Sequence, residues 1–382
     1  MAKIKQIFLF ILLIHYFEAN SQNLKLGSEQ THKYLPLIED KKVGIVANQT
    51  SIIGGTHIID SLLSLRINIS KIFTPEHGFR GDVDAGQYVK NEIDIKTGIS
   101  IISLYGKNKK PQNLDISKLD VMIFDIQDVG VRFYTYISTL HYVMEALAEN
   151  NIPLIILDRP NPNSHYIDGP ILNMNFQSFV GMHPVPIVYG MTIGEYANMI
   201  NEEGWLKNKI RCDLIVIKMQ NYSHQISYQL PIKPSPNLPN SRAVNLYPSL
   251  CLFEGTTISV GRGTDFPFQH FGAPYLKSNY SFIPQNNSGS KNPKYKNILC
   301  SGIDLRYQDN YMTELNLQWL INTYHESEQK ENFFNSFFDK LAGTDNLRKQ
   351  IIDGKGDQEI KESWQQELFE FKKLRKKYLL YK

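Results

Sequence analysis

The segment "KIFTPEHGFRG", residues 71 to 81, sets Glu76 and His77 directly after a short apolar run and beside two glycines. A carboxyl group lodged behind a buried strand and next to Phe79 can have its pKa raised by desolvation, which suits a general acid working near neutral pH. Glu76 is therefore the leading candidate for proton transfer, although the same residue could simply cap the turn that follows the strand. His77 joins the catalytic set as a support for Glu76 or a substrate contact; a lone histidine beside glycine is more often structural.

A second concentration of functional types is "DIQDVGVRFYTY", which packs Asp125, Gln127, Asp128, Arg132, Tyr134 and Tyr136 into twelve residues after another apolar run. Carboxylates and amides hydrogen-bond hydroxyls, an arginine fork holds a carboxylate, and tyrosines offer a sugar ring an apolar wall with a polar tip. Asp125 is counted with the catalytic candidates and the others with substrate binding. An internal Arg132–Asp128 ion pair explains those two residues equally well. Asn48 closes "GIVAN", and "LDRPNP" supplies Asp158, Arg159 and Asn161, with Asp158 equally able to cap a backbone group. Further along, Asn237 in "PSPNLP" and Glu254, Arg262 and Thr264 in "FEGTTISVGRGTDF" sit among glycines and prolines that allow a backbone to approach a ligand closely. Glu195 has a sufficient structural explanation, because Thr192 three residues earlier makes a capping box.

These residues need a scaffold, and the chain supplies one. From residue 42 onward, short Val- and Ile-rich runs ("KKVGIVANQT", "ISKIFTPEHG", "ISIISLYG", "VMIFDIQDVG", "IPLIILDRPNP", "DLIVIKM") alternate with helical patterns such as "TYISTLHYVMEALAENN" and "TIGEYANMINEEGWL". Continuous apolar strands alternating with helices predict an α/β fold, a Rossmann-like, mostly parallel open sheet buried on both faces. In such sheets ligands sit beyond the carboxyl ends of the strands, where the polar residues above fall, so convergence on one cleft is expected. After residue 230 the Pro-rich "LPIKPSPNLPNSRAVNLYPS" reads as a crossing into a second, smaller α+β domain spanning 231–382, after a catalytic domain over 22–230. "SFIPQNNSGSKNPKYKN" reads as a surface loop.

Composition narrows the function classes. The chain has 382 residues, 41 basic against 38 acidic, and a formal net charge of +3, so no overall field recruits nucleic acid. No G-x-G-x-x-G follows the first strand, no P-loop occurs and no two-histidine metal spacing is present, so neither cofactor nor metal is expected. Lys3 and Lys5, the apolar run "IFLFILLI", and Ala19 and Ser21 have the form of a cleavable signal peptide over residues 1–21, which predicts a periplasmic or secreted protein with no membrane span. Three widely spaced cysteines, Cys212, Cys251 and Cys300, allow at most one internal disulfide and suggest no catalytic thiol. Oligomeric state is not legible.

The ordered set "GIVANQTS", "FTPEHGFRG", "DIQDVGVRFYTY", "LDRPNP", "DGP", "HPVPIVYGMTIGE", "PSPNLP" and "EGTTISVGRGT" resembles the exo-β-N-acetylmuramidase family of bacterial glycoside hydrolases, long catalogued as a domain of unknown function. The resemblance covers nearly all of the chain after the leader. It implies a secreted or periplasmic enzyme pairing a Rossmann-like domain with a smaller carboxyl-terminal one. That enzyme would remove N-acetylmuramic acid (MurNAc) from the non-reducing ends of peptidoglycan fragments, with Glu76 in the position of the family's cleft glutamate. A non-catalytic binder of cell-wall sugars and a metal-dependent deacetylase or amidase using Glu76, His77 and Asp125 stand as alternatives.

Overall fold

The computed structural model describes residues 23–80, 91–307 and 311–381; the expected leader falls outside them. Among the described residues, the larger sheet is built from β1 (Val43–Ala47), β2 (Ile69–Thr74), β3 (Glu92–Ile93), β4 (Ser100–Ser103), β5 (Val121–Asp125), β6 (Leu154–Leu157) and β7 (Leu214–Ile217). Their order is β3-β4-β2-β1-β5-β6-β7, and all neighbours are parallel except the edge strand β3, which runs antiparallel to β4. The chain lays strands outward on one side of β1 and then returns to its other side with β5. The strand order therefore reverses between β1 and β5, whose register pairs Ala47 with Asp125.

The apolar runs earn their place by burial on two faces. Val43, Ile45, Val121, Ile123, Ile155 and Leu157 join one core with helices α1 (Thr31–Ile38) and α2 (Ile58–Ser64). Val46, Met122, Phe124, Leu154 and Ile156 face the other way, onto α3 (Tyr136–Glu149) and α4 (Ile193–Glu202). Each fully buried side chain of this size contributes roughly 1.5–3 kcal/mol, so alternate residues of a single strand hold both layers. The capping box on α4 forms as its sequence demands, with Thr192 N donating to Glu195 Oε2 at 2.9 Å and Glu195 N to Thr192 Oγ1 at 3.3 Å.

The second region has a three-stranded antiparallel sheet, β8 (His270–Ala273), β9 (Tyr280–Phe282) and β10 (Cys300–Asp304), in the order β8-β10-β9. Helices α5 (Ser241–Leu250), α6 (Gln318–Glu326), α7 (Phe338–Ala342) and α8 (Gln365–Arg375) accompany it. The Pro-rich crossing ends at Asn240, whose side chain accepts from Ala243 N at 2.9 Å and so starts α5. The segment "GTTISVG" that follows is irregular, bridged at Thr256 and Ser259. One apolar cluster runs from Val46 through Phe253 and Phe338 to Phe371, so the second region shares its core with the α3 face of the first. The three cysteines are free and buried. No helix among the described residues is long and apolar enough to cross a membrane.

Candidate active site

A cleft of about 550 Å³ opens between the two regions, large enough for a small saccharide. Of the candidates named from sequence, Glu76, His77, Tyr134, Asn237, Glu254 and Arg262 line it. Asn48, Asp125, Gln127, Asp128, Arg132, Tyr136, Asn161 and Thr264 do not.

Glu76 lies two residues past β2 and is half-buried. Thr135, at the amino end of α3, donates its hydroxyl to Glu76 Oε2 at 2.9 Å, so the carboxyl is aimed by the helix that follows β5. The backbone helps to aim it too: His77 has φ of 72° and Gly78 of 77°. A left-handed conformation costs a non-glycine residue energy and is commonest where a site requires it. His77 is buried, at 5% exposure, against the same cleft.

The cleft wall from the second region carries complementary groups. Glu254 and Arg262 form a two-pronged pair, with Arg262 Nε donating to Oε1 at 2.5 Å and Nη2 to Oε2 at 2.9 Å. Arg262 lies over the Phe268 ring, its Cζ 5.0 Å from the centroid. Asn237 donates Nδ2 to the Gly289 carbonyl at 2.6 Å, fixing a loop that brings Gly289, Ser290, Lys291 and Asn292 to the cleft. That loop belongs to the segment read from sequence as mere surface; it is a wall. Aromatic sides come from Tyr105, Phe133, Phe179 and Tyr247, and Tyr134 stands edge-on to Tyr247 at 5.9 Å between centroids. Cys251 also touches the cleft, but burial pushes its thiol pKa well up, which leaves it protonated and inert.

The remaining candidates form a closed layer beneath. Asp125, with no exposure, accepts from Arg159 Nε at 2.6 Å and Nη2 at 2.9 Å. Asn48 donates Nδ2 to the Tyr136 hydroxyl at 3.0 Å and accepts from Thr50 N at 2.9 Å. The Tyr134 and Tyr136 hydroxyls both donate to the Pro234 carbonyl, at 2.9 and 3.2 Å. Gln127 donates Nε2 to the carbonyls of Asp128 and Pro160 at 2.8 and 2.6 Å.

Asp128 does not pair with Arg132. Its Oδ2 accepts from the Tyr189 hydroxyl and from Gly130 N, and burial raises its pKa from 3.8 to about 6. Gly130 has φ of 76°, and a Cβ there would meet Asn161 Oδ1 at 2.0 Å. Asn161 itself donates Nδ2 to the Met191 carbonyl at 2.8 Å. Thr264 closes its own turn by donating to the Gly261 carbonyl at 2.7 Å.

Arg132 is fully buried and donates to four carbonyls: Pro170 and Val185 in the first region at 2.9 and 2.6 Å, Leu341 and Ala342 at the end of α7 at 3.2 and 2.6 Å. Burial lowers its pKa to about 9. It clamps the two regions together and is not available to a substrate carboxylate. Asp158 likewise caps backbone, accepting from Gly194 N at 2.9 Å.

Sequence reasoning passed over Thr135, which lies inside the quoted "FYTY", and the cleft-facing aromatics Phe179 and Tyr247. A threonine at the start of a helix is read as a cap before it is read as the support of a distant carboxylate. Thr135 was recognisable only once Glu76 was known to stand opposite.

Family models confirm what these segments suggest. The amino-terminal model described as "Exo-beta-N-acetylmuramidase NamZ, N-terminal" matches residues 43–242, and its carboxyl-terminal counterpart matches 245–381. The chain is 40% identical over 373 residues to the peptidoglycan beta-N-acetylmuramidase NamZ of Bacillus subtilis strain 168, covering 91% of this chain and 89% of that one. Two crystal structures of DUF1343 family proteins from Bacteroides fragilis NCTC 9343 superpose on it. One has a TM-score of 0.89 at 47% identity and the other 0.81 at 28%, each covering 94% of this chain and 99% of its own. The α/β fold and both family matches agree: this chain belongs to the exo-β-N-acetylmuramidase NamZ family.

Proposed function

We propose that the protein is an exo-acting glycoside hydrolase that releases MurNAc from the non-reducing ends of peptidoglycan fragments, with Glu76 as the general acid. The observation that carries this reading is a half-buried glutamate, oriented by Thr135, in a cleft whose other groups suit an N-acetylated sugar acid. Glu76 gives its proton to the leaving glycosidic oxygen as the bond to the sugar's anomeric carbon breaks, and water supplies the hydroxyl that completes the product. Asn237 and the Gly289–Asn292 loop offer amide and hydroxyl groups to the sugar, and the aromatic sides pack on its apolar face. Arg262 is the residue we assign to the lactyl carboxylate. Glu254 fixes its plane through Nε and Nη2, and the guanidinium lines the cleft, where its charge can meet an anion.

Three features support this over a metal-dependent deacetylase: Asp125 is engaged by Arg159, and among the described residues His77 is the only histidine lining the cleft and no cluster of His, Cys, Asp or Glu has the form of a metal site. We extend the proposal to export, supported by the charge, apolar run and small residues of the amino terminus. The test is chemical: incubation with a MurNAc–GlcNAc disaccharide bearing MurNAc at its non-reducing end should yield free MurNAc and GlcNAc by mass spectrometry. Recovery of a deacetylated but intact disaccharide would replace the glycosidase reading with the deacetylase one.

A further inference from the structure

The turn from Gly261 to Phe268 sends aromatic rings in two directions. Gly261, Gly263 and Phe268 have φ of 76°, 81° and 55°, and these left-handed steps carry Arg262 and Phe268 into the cleft. Phe266, on the same turn, points away and is 39% exposed. Outside, Arg306 repeats the arginine-on-ring arrangement of Arg262 on Phe268. Its Cζ lies 4.5 Å from the Phe266 centroid, 5.2 Å from that of Tyr307 and 5.6 Å from that of Tyr280. Asp304 fixes the guanidinium plane, accepting from Nε at 2.9 Å and Nη2 at 2.7 Å. Tyr307 is 80% exposed.

This cluster is continuous with the cleft wall. The Thr264 carbonyl, two residues before Phe266, accepts from Asn287 Nδ2 at 3.3 Å, and Asn287 pairs through its backbone with Ser290, which lines the cleft. Exposed rings around an immobilised planar donor suit a pyranose, whose C–H face packs on an aromatic ring while its hydroxyl and acetamido groups accept from a guanidinium.

We propose that Phe266, Tyr280, Arg306 and Tyr307 form a saccharide-binding platform at the rim, which holds the part of the glycan strand that remains after the terminal sugar enters the cleft. The proposal rests on the muramidase reading for its ligand but not for its test. An enzyme acting from a chain end grips one sugar at the reacting bond, and the rest of the strand leaves by the mouth of the cleft. A platform there raises affinity for longer strands without changing the chemistry at Glu76.

The experiment uses the full chain carrying Glu76→Gln, to suppress turnover, and measures binding of a MurNAc-ended disaccharide and of a MurNAc-ended tetrasaccharide by calorimetry. The tetrasaccharide should bind more tightly, and adding Tyr307→Ala or Arg306→Ala should reduce that advantage about tenfold, or ~1.4 kcal/mol, with disaccharide affinity retained. In the active chain, the ratio of kcat/KM for tetrasaccharide over disaccharide should fall by a similar factor. A tetrasaccharide that binds no better than the disaccharide, or whose advantage survives both substitutions, overturns the platform. Chain-length-dependent binding that Tyr307→Ala abolishes, in a protein that releases no MurNAc, would keep the platform and remove the muramidase reading instead.

Discussion

Asp125 ends β5 and Glu76 follows β2 by two residues, so both carboxylates stand at the carboxyl edge of one parallel sheet. They have opposite fates. Asp125 is wholly enclosed and bound through both oxygens to Arg159, whereas Glu76 reaches the cleft with Thr135 as its support. The difference extends to their neighbours. The strand-end layer of Asn48, Asp125, Gln127 and Asp128 fills the crevice at the strand reversal with internal hydrogen bonds, and the cleft lies above it, where the second region adds Asn237, Glu254 and Arg262. A topological switch point can thus position a site without contributing the atoms that touch its ligand.

That contrast can be broken by substitution. The largest effect is expected beneath the cleft: Asp125→Ala leaves Arg159 charged and unpaired in the interior, which typically costs about 3–5 kcal/mol. Thermal unfolding should show a Tm lower by several degrees. If the variant instead kept its Tm and lost only activity, Asp125 would belong with the reacting groups. In the cleft, Arg262→Lys keeps a positive charge for Glu254 but loses the two-pronged geometry. Discrimination between an aryl MurNAc glycoside and the corresponding aryl GlcNAc glycoside should fall about tenfold, corresponding to ~1.4 kcal/mol, with Tm nearly unchanged. An unchanged preference would move recognition of the lactyl carboxylate to another residue, with Lys291 on the same wall the first to examine.

A further expected effect is a pH signature of the enclosed layer. Burial raises the Asp128 pKa in the folded protein from 3.8 to about 6. The folded state therefore holds this proton more tightly than the unfolded chain, and the contribution is full below about pH 4 and is lost as pH rises through about 6. Asp128→Asn keeps an oxygen acceptor for Tyr189 and Gly130 and cannot ionise. Relative to the unsubstituted protein it should gain about 1–3 kcal/mol between pH 4 and pH 7 in denaturant titrations. A stability difference independent of pH would mean that Asp128 stays ionised throughout.

How legible each layer was in the sequence follows from the same physics. The sheet announced itself because Val43, Ile45, Val121 and Ile123 must be apolar on both faces, and the helices of the first region showed their 3.6-residue spacing. Glu76 stood out because a carboxyl after a buried strand demands a reason. Asp125, Gln127 and Arg132 stood out for the same reason and had a different one: a buried polar group must be hydrogen-bonded whether its partner is a substrate or a carbonyl. Residue type does not distinguish those partners; distance does. The Gly289–Asn292 wall was hidden for the converse reason. Its Gly, Ser, Lys and Asn have the composition of any exposed loop, and only the Asn237 bond to Gly289 reveals which face it covers.

The role of Glu76 is the point on which the whole functional reading turns, and Glu76→Gln tests it while nearly preserving shape. On the natural disaccharide, turnover should fall by ~10²–10⁴-fold, as expected for loss of a general acid. A nitrophenyl muramide should suffer less, because its leaving group needs less protonation, and Tm should stay close to that of the unsubstituted protein. Full activity of a folded Glu76→Gln protein on the disaccharide would contradict the assignment outright.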